Sequence, residues 1–256
     1  MTSKRKIFTA EVLRAQKNQI RLSTDGRLYV PNPYITPKSF RFLSDLTKNN
    51  NRDWFAENKD RFEKDLREPL LGFIEDFSEH LEKLSPHFEA EAKKVGGSLF
   101  RIFRDVRFSK DKSPYKTNAG VHFRHERAKD AHAPGYYLHL DPKESFIGVG
   151  IWRPDTATAK KIREAILEYP AVWKRATGGA FKKTFILDGD SLKRPPTGVS
   201  ADHPLIVDLK RKDFIAVTDV SRKEMCATEF MRQFAKTCTT ANPFMKFLTE
   251  AVGLRF

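Results

Sequence analysis

The hydrophobic pattern of this chain changes its period near Gly97, and this change constrains the fold more than any other feature. Between Trp54 and Leu84, apolar residues recur every three or four positions, as they do on the buried side of a helix. After Gly97, short runs rich in aromatic and β-branched residues follow one another closely, separated by turn residues. The pattern predicts a helical N-terminal part and a sheet after it.

Capping residues indicate where the N-terminal helices begin. Thr36 and Pro37 predict a helix start, with threonine as the cap and proline at the first helical position. Asn50, three residues before Asp53, predicts a second capped start. Pro69 lies within the apolar stripe, so two helices or one kinked helix are expected there. The aromatic residues that open the stripe are expected in the core: Trp54, Phe55 and Phe62.

The strand-forming runs are joined by segments too short for parallel crossovers, which favours an antiparallel sheet. The predicted strands lie within residues 98–108, 120–125, 135–141, 145–152, 183–189 and 213–221. A helix capped by Asp155 or Thr156 follows the fourth strand. Two helices, at about 221–240 and 243–252, end the chain, and Asn242 and Pro243 open the second. The predicted class is α+β, with an N-terminal helical layer packed on a mainly antiparallel sheet and C-terminal helices.

Length and charge bound the organisation of the chain. Residues 1–36 are predicted to be a basic N-terminal extension, and residues 37–256 a single α+β domain. The net charge of +14 attracts anions, including nucleic acid, but it also simply aids solubility. Two cysteines are too few for a disulfide framework, and no apolar run is long enough to span a bilayer. A cytoplasmic protein with no membrane partner is therefore expected.

Residues 101–118, RIFRDVRFSKDKSPYKTN, concentrate six cations around two acids. If residues 98–108 form one strand, Asp105 shares a face with Arg101 and Arg107, which allows a charge-assisted network. The cations of this stretch are Arg101, Arg104, Arg107, Lys110, Lys112 and Lys116.

The second half of the stretch, residues 109–118, is too polar for a strand and contains Pro114, so a loop is expected. Converging arginine and lysine donors suit the oxygen atoms of phosphate or carboxylate groups. The leading hypothesis is therefore binding of an anionic small molecule or of nucleic acid, with Asp105 orienting arginines and Tyr115 supplying a hydroxyl or a stacking face. The candidate ligand-binding residues are Arg101, Arg104, Asp105, Arg107, Lys110, Lys112, Tyr115 and Lys116.

Two other interpretations of this stretch stay open. A metal-dependent hydrolase or nuclease would use Asp105 and Asp111 to hold the metal, although their spacing matches no known metal motif. Alternatively, the charges form a structural network in an interaction module that docks an acidic protein. The sequence leaves open whether the protein is an enzyme, whether it uses a cofactor and what its oligomeric state is.

Histidines and aromatic residues of the predicted sheet offer further candidates. His122 and His125 are three positions apart and so point to opposite faces of a strand, while His139 and Asp141 alone do not make a metal site. His132 was weighed with them, and no metal ligands are predicted. Trp152 either packs in the core or lines a pocket beside Tyr137, where an aromatic platform would suit a base or a sugar.

A longer pattern joins the charged stretch to segments on either side of it. NNNRDWF, the charged stretch itself, APGYYLHLDP and GVGIWRPD together resemble the family catalogued as domain of unknown function 2461, over about residues 38–253. The resemblance implies that the charged loop belongs to a family pattern, and it transfers no activity. The matching positions are Asn50, Arg52, Trp54, Phe55, Arg101, Arg104, Asp105, Arg107, Phe108, Lys110, Asp111, Lys112, Pro114, Tyr115, Lys116, Tyr137 and Trp152.

Overall fold

A computed structural model describes residues 21–22, 28–29, 32–127 and 132–256, so most of the predicted extension lies outside it. The fold is α+β, as predicted. The helices are α1 (Pro37–Lys48), α2 (Arg52–Glu57), α3 (Lys59–Phe62), α4 (Glu68–Leu84), α5 (Thr156–Glu168), α6 (Pro170–Ala176), α7 (Gly179–Thr184), α8 (Ile206–Leu209), α9 (Arg222–Met225) and α10 (Phe230–Ala251), with a π-helical turn (Glu63–Arg67) between α3 and α4.

Strand pairing is antiparallel throughout the described chain. The strands are β1 (Arg21–Leu22), β2 (Leu28–Tyr29), β3 (Ala119–Arg124), β4 (Gly135–Leu140), β5 (Phe146–Ile151), β6 (Ile186–Asp188) and β7 (Phe214–Asp219). The first two pair with each other, and the others form a five-stranded sheet in the order β3-β4-β5-β7-β6.

The helices cover one face of this sheet and enclose the core. Phe77 of α4 contacts Phe123 of β3 with ring centroids 4.8 Å apart, and Phe234 of α10 contacts Phe77 at 4.9 Å. Each of these three rings is fully buried. Because strand side chains alternate between faces, the opposite face of the sheet is left for other contacts.

Residues just before α1 already pack on the domain. The Nδ2 group of Asn32 donates to the carbonyl oxygen of Met225 at 2.7 Å, and Ile35 is fully buried. The hydroxyl of Tyr34 donates to the carboxylate of Asp76 on α4. These contacts tie residues 32–35 to the fold, while the division of the chain at residue 36 stays a prediction.

One predicted helix start is confirmed and the other is wrong by one residue. The hydroxyl of Thr36 accepts from the backbone N–H of Lys38 at 3.2 Å. The second cap is Asn51, whose side chain accepts from the N–H of Trp54 at 2.9 Å. Asn50 does not cap the helix, because its side chain bonds to a distant segment described below.

Pro69 and Pro243 both lie within helices, in α4 and α10. The π-helical turn precedes α4, whose second residue is Pro69, so the ring is accommodated by a local widening of the helix. The predicted break at Asn242 and Pro243 is wrong, because α10 runs through both. Asn242 accepts a hydrogen bond from Tyr136 at 2.9 Å and donates to Leu84 at 3.2 Å. Within the described ranges, no helix is long and apolar enough to cross a membrane.

The predicted strand at 98–108 is wrong. Leu99 forms a single bridge with Val121 of β3, and Phe103 forms a single bridge with Tyr115. The segment therefore changes partner after Phe100, pairing first with the sheet and then with its own continuation. Its alternating hydrophobic pattern is strand-like, but a change of partner interrupts the ladder, and Pro114 has no N–H to extend it.

Candidate ligand-binding cleft

A cleft of about 780 Å³ lies on the sheet face opposite the helical core. Its floor comes from β3, β4, β5 and β7, and residues between Phe100 and Asn118 line it on the β3 side. Asp188 of β6 lies at the far side. The floor residues are Gly120, His122, Gly135, Tyr137, His139, Phe146, Gly148, Gly150, Ile215 and Val217.

The centre of the floor is bare backbone. Gly148 lies opposite Tyr137 in the β4–β5 ladder, and Gly150 lies opposite Gly135. A Cβ atom on Gly148 would lie 3.6 Å from the nearest atoms of Phe146 and Tyr137, an ordinary contact distance. The packing of the protein therefore does not require glycine at position 148, and its absent side chain leaves room for a ligand.

Two other glycines make room for rings that lie over the sheet. A Cβ atom on Gly120 would fall 2.4 Å from the hydroxyl oxygen of Tyr137, and one on Gly135 would fall 2.0 Å from Nε2 of His122. Neither distance is tolerated between non-bonded atoms, so each glycine allows an aromatic ring from the neighbouring strand to lie against it. These rings form the β3 side of the floor.

Tyr137 and His139 form a hydrogen-bonded pair in the cleft. The hydroxyl of Tyr137 donates to Nδ1 of His139 at 2.9 Å, in the imidazole tautomer that carries its proton on Nε2. Burial raises the pKa of Tyr137 to about 12, so the hydroxyl keeps its proton. Burial lowers the pKa of His139, against the opposing effect of Asp141 and Glu144. The His139 ring stacks on Phe146, with centroids 4.6 Å apart.

His122 is a buried, neutral imidazole in the same floor. Burial and, to a smaller extent, Arg124 lower its pKa to about 4. Its ring packs near Phe100 and Tyr137, each with a centroid separation of about 6 Å. Its Nδ1 atom is buried and has no hydrogen-bond partner among the described residues. The ring therefore forms an uncharged part of the cleft floor.

The cleft is cationic on the side of the charged stretch. Lys116 and Arg104 both line it. The Lys116 ammonium lies 5.4 Å from the centroid of Phe100, and its pKa is lowered by burial and by the nearby charge of Arg101. Within the described part of the chain, Lys116 has no carboxylate at ion-pair distance. A partly desolvated positive charge therefore faces the cleft without a counter-charge.

The two acids of the charged stretch each bind a different arginine. Arg107 donates to Asp105 through Nε at 2.9 Å and Nη2 at 2.6 Å, which lowers the pKa of that carboxyl to about 2. Asp111 accepts hydrogen bonds from the side chain and backbone of Ser113 and from Arg104, and all three lower its pKa. Two of the six cations of the stretch, Arg104 and Arg107, are thus held in ion pairs within the stretch itself.

Tyr115 joins this network to the N-terminal helices. Its ring is buried and stacks on Phe55 with centroids 4.0 Å apart. The Asn50 side chain donates to the Tyr115 carbonyl at 2.9 Å and accepts from its N–H at 3.1 Å, which imitates one pair of a β ladder. The ring therefore has no face open to a ligand, and Tyr115 serves to hold the wall of the cleft in place.

Loss of the Asn50 side chain should loosen the wall of the cleft that residues 100–118 form. Asn50→Ala removes both hydrogen bonds to Tyr115, and we expect the free energy of unfolding to fall by about 2 kcal/mol in urea titrations. Asn49→Ala is the matched control, because the Asn49 side chain is exposed and, among the described residues, donates only to the Asp45 carbonyl. Equal small losses in the two variants would contradict a role of Asn50 in anchoring the wall.

The edge of the cleft opposite the charged stretch is held by a buried carboxylate. Asp213 accepts from the N–H of Arg153 and from the N–H of Asp190, both at 2.8 Å. Arg153 has a φ angle of 47°, which is unusual for a residue other than glycine, and its guanidinium lies 4.6 Å from the Trp152 ring centroid. Trp152 lines the same cleft as Tyr137, as one of its two interpretations predicted, and its ring stacks on His132 with centroids 5.6 Å apart.

The histidines that were weighed as metal ligands do not converge. His122 and His139 face the cleft, whereas Nε2 of His125 bonds to the carbonyl of Arg255 at 2.8 Å. In the ranges that the structure describes, no group of three or more potential ligands is arranged to hold a metal ion.

The sequence profile of the family described as "Conserved hypothetical protein (DUF2461)" matches residues 38–247. The chain belongs to the DUF2461 family. The matched DUF2461 region contains every strand of the five-stranded sheet, the charged stretch and the whole lining of the cleft. No curated protein and no solved structure matches the chain. Family membership therefore covers the site and leaves its chemistry to be inferred from geometry.

Sequence reasoning found one wall of this DUF2461 cleft and missed much of its floor. Of the eight predicted binding residues, Arg104, Asp105 and Lys116 line the cleft. The others lie beyond it or, like Tyr115, inside the protein. Gly120, Gly135 and Phe146 were not predicted as site residues. The alternation of glycine with aromatic residues in β4 and β5 was the available signal, since bare positions beside rings mark a close approach over a sheet.

Proposed function

We propose that this protein binds a small molecule bearing a phosphate or carboxylate group in the cleft on the open face of the sheet. The observation that carries this proposal is the environment of Lys116. Its charge is half-buried, lies near Arg101 and lacks a carboxylate partner among the described residues. An anionic group of a ligand would offset the desolvation of the ammonium and its repulsion by Arg101, so this arrangement favours anion binding.

The remainder of the cleft suits a flat or apolar body on this anion. Its volume of about 780 Å³ falls within the usual range for small-molecule sites. Phe100, Tyr137 and Phe146 supply aromatic surface, and Gly148 leaves the floor open. Asp188 provides an acceptor on the far side. We infer a ligand with an anionic end, a planar or apolar middle and hydrogen-bond donors at the other end.

The alternative of a metal-dependent hydrolase or nuclease receives less support. Asp105 and Asp111 are each bound by an arginine, so neither carboxylate is free to share a metal with the other. The proposal assigns a binding function and no reaction. It includes a cytoplasmic location, which the two free thiols, Cys226 and Cys238, support.

Neutralising Lys116 should weaken anion binding without unfolding the protein. We expect Lys116→Met, which keeps the apolar stem over Phe100, to bind its best phosphate or carboxylate compound about tenfold more weakly in titration calorimetry. The probes are inorganic phosphate, pyrophosphate, nucleoside monophosphates and dicarboxylates, first compared by thermal shift. Lys110→Met is the control with the same charge change outside the cleft. Equal affinity in the parent protein, Lys116→Met and Lys110→Met, or no stabilisation by any probe, would contradict the proposal.

Filling the floor should separate binding from stability. Gly148→Ala places a methyl group where the ligand would lie, at ordinary contact distance from its protein neighbours. We expect the free energy of unfolding to stay constant or to rise by up to about 1 kcal/mol, because alanine restricts the unfolded chain more than glycine. The affinity for the same probe should fall about tenfold or more. Unchanged affinity would place the ligand away from β5.

A further inference from the structure

Part of the charged stretch lies outside the cleft and has no role in the proposed function. Residues 106–109 form a turn in which the N–H of Ser109 donates to the carbonyl of Val106 at 3.3 Å. At this turn the side chain of Phe108 is 95% exposed. A phenylalanine so exposed loses the free energy that burial would contribute, which suggests a partner that covers it.

Cations flank this exposed ring along the chain. Arg101, Lys110 and Lys112 are all exposed, and none lies at ion-pair distance from a carboxylate within residues 32–127 and 132–256. The Lys112 ammonium donates to the Val106 carbonyl at 3.0 Å, which holds it over the turn. Arg107, although paired with Asp105, lies with its guanidinium 5.8 Å from the Phe108 ring centroid. We define Arg101, Arg107, Phe108, Lys110 and Lys112 as the rim.

The rim is continuous with the wall of the cleft. Arg104 and Asp105 line the cleft, and the turn begins at the next residue. A ligand that reaches the rim from the cleft must therefore carry anionic groups both inside and outside the cleft, together with a planar group for Phe108. A single strand of nucleic acid has this repeating chemistry, with a phosphate and a base in every unit.

We infer that the anionic ligand of the cleft is one nucleotide of a single-stranded nucleic acid. This inference rests on the proposed function. One base enters the cleft over Gly148 with its phosphate at Lys116, the rim cations contact the neighbouring phosphates, and Phe108 stacks on an adjacent base. A duplex does not fit this description, because its bases are stacked and paired and cannot enter the cleft without being flipped out. The net charge of +14 adds long-range attraction to the strand.

The test is fluorescence anisotropy with labelled single-stranded DNA and RNA of about 12 nucleotides, the matching duplexes and a labelled mononucleotide, over a range of salt. Phe108→Ser should weaken strand binding about tenfold and leave mononucleotide binding unchanged. The double variant Lys110→Gln/Lys112→Gln should reduce the slope of log K against log salt by about 1.4, as expected for two lost phosphate contacts. Lys116→Met should weaken binding of both strand and mononucleotide.

Matched controls change the same properties elsewhere on the surface. Lys182→Gln/Lys183→Gln removes two exposed charges from α7, and Val207→Ser removes an apolar side chain that is 70% exposed on α8. Neither should alter strand binding beyond a small uniform change from net charge. If they match the rim variants, the attraction is non-specific and the inference is wrong.

Other outcomes overturn the inference and leave the proposed function standing. These are a strand that binds no tighter than a mononucleotide, a duplex that binds as tightly as a strand, and Phe108-dependent binding to vesicles of phosphatidylserine and phosphatidylcholine in place of strands. In each case, small-anion binding that still depends on Lys116 keeps the cleft proposal. Loss of all anion binding overturns both.

Discussion

Replacing Gly135 by alanine should lower the free energy of unfolding by about 1–3 kcal/mol. The new Cβ atom would lie 2.0 Å from Nε2 of His122, so the imidazole must leave its position. It cannot move freely, because Phe100 and Tyr137 pack near it. The variant should therefore also disturb the cleft, with weaker binding of the phosphate or carboxylate probe. Urea titration measures the first effect and calorimetry the second.

A double-mutant cycle shows whether this clash is the cause. His122→Ala removes the ring that the new methyl group would meet, so the loss in the double variant His122→Ala/Gly135→Ala should be smaller than the sum of the two single losses. Gly148→Ala is the matched control, because it makes the same change on the adjacent strand without a clash. Additive losses would show that Gly135 is needed for a reason other than space for His122.

Acid should destabilise the protein between about pH 6.5 and pH 4 through His122. In the folded protein, burial and Arg124 lower the pKa of this histidine from 6.5 to about 4. Between these values the unfolded chain binds the proton and the folded protein does not, so the free energy of unfolding rises with pH across this window. The stability that His122 contributes as a neutral imidazole is fully present above the unfolded pKa of 6.5 and is lost as the pH falls to the folded pKa of about 4. This pKa shift corresponds to a change of about 3 kcal/mol in the free energy of unfolding.

The measurement is the free energy of unfolding in urea at several pH values across this window. His122→Gln has no titrating group and should show a shallower dependence than the parent protein. His139 shifts in the same direction, so His139→Gln is needed to separate the two contributions. Asp105 remains ionised throughout, because its pKa is about 2. Identical pH dependence in the parent protein and His122→Gln would contradict a buried neutral imidazole at this position.

The fold follows from local pattern wherever a segment has a single partner. The 3.6-residue period before Leu84, the cap at Thr36 and the short links between the strands of the sheet each depend on neighbours in the sequence, so α+β and an antiparallel sheet could be predicted. The segment at 98–108 has the same local pattern as a strand but two successive partners. Pairing partners are not encoded in alternation alone, and so this strand was predicted wrongly.

Long-range contacts account for the other misassigned elements. Asparagine is a common helix cap, yet the hydrogen bonds of Asn50 go to Tyr115, 65 residues away. Asn51 caps the helix instead. Proline is common at the first position of a helix, yet α10 continues through Pro243. A proline inside a helix costs about 3 kcal/mol, because it removes one backbone hydrogen bond and its ring clashes with the preceding turn. Burial of neighbours such as Phe244 and Leu248 offsets this cost.

The sequence by itself determined the class of the fold, the family pattern and the concentration of charge between Arg101 and Lys116. Only the tertiary structure decided which of those charges are available. It pairs Arg107 with Asp105 and Arg104 with Asp111, and it leaves Lys116 beside a floor of glycines and rings from the strands β3, β4 and β5. The physical reason is that charge is a property of one residue, whereas desolvation and counter-charge depend on what the fold places around it.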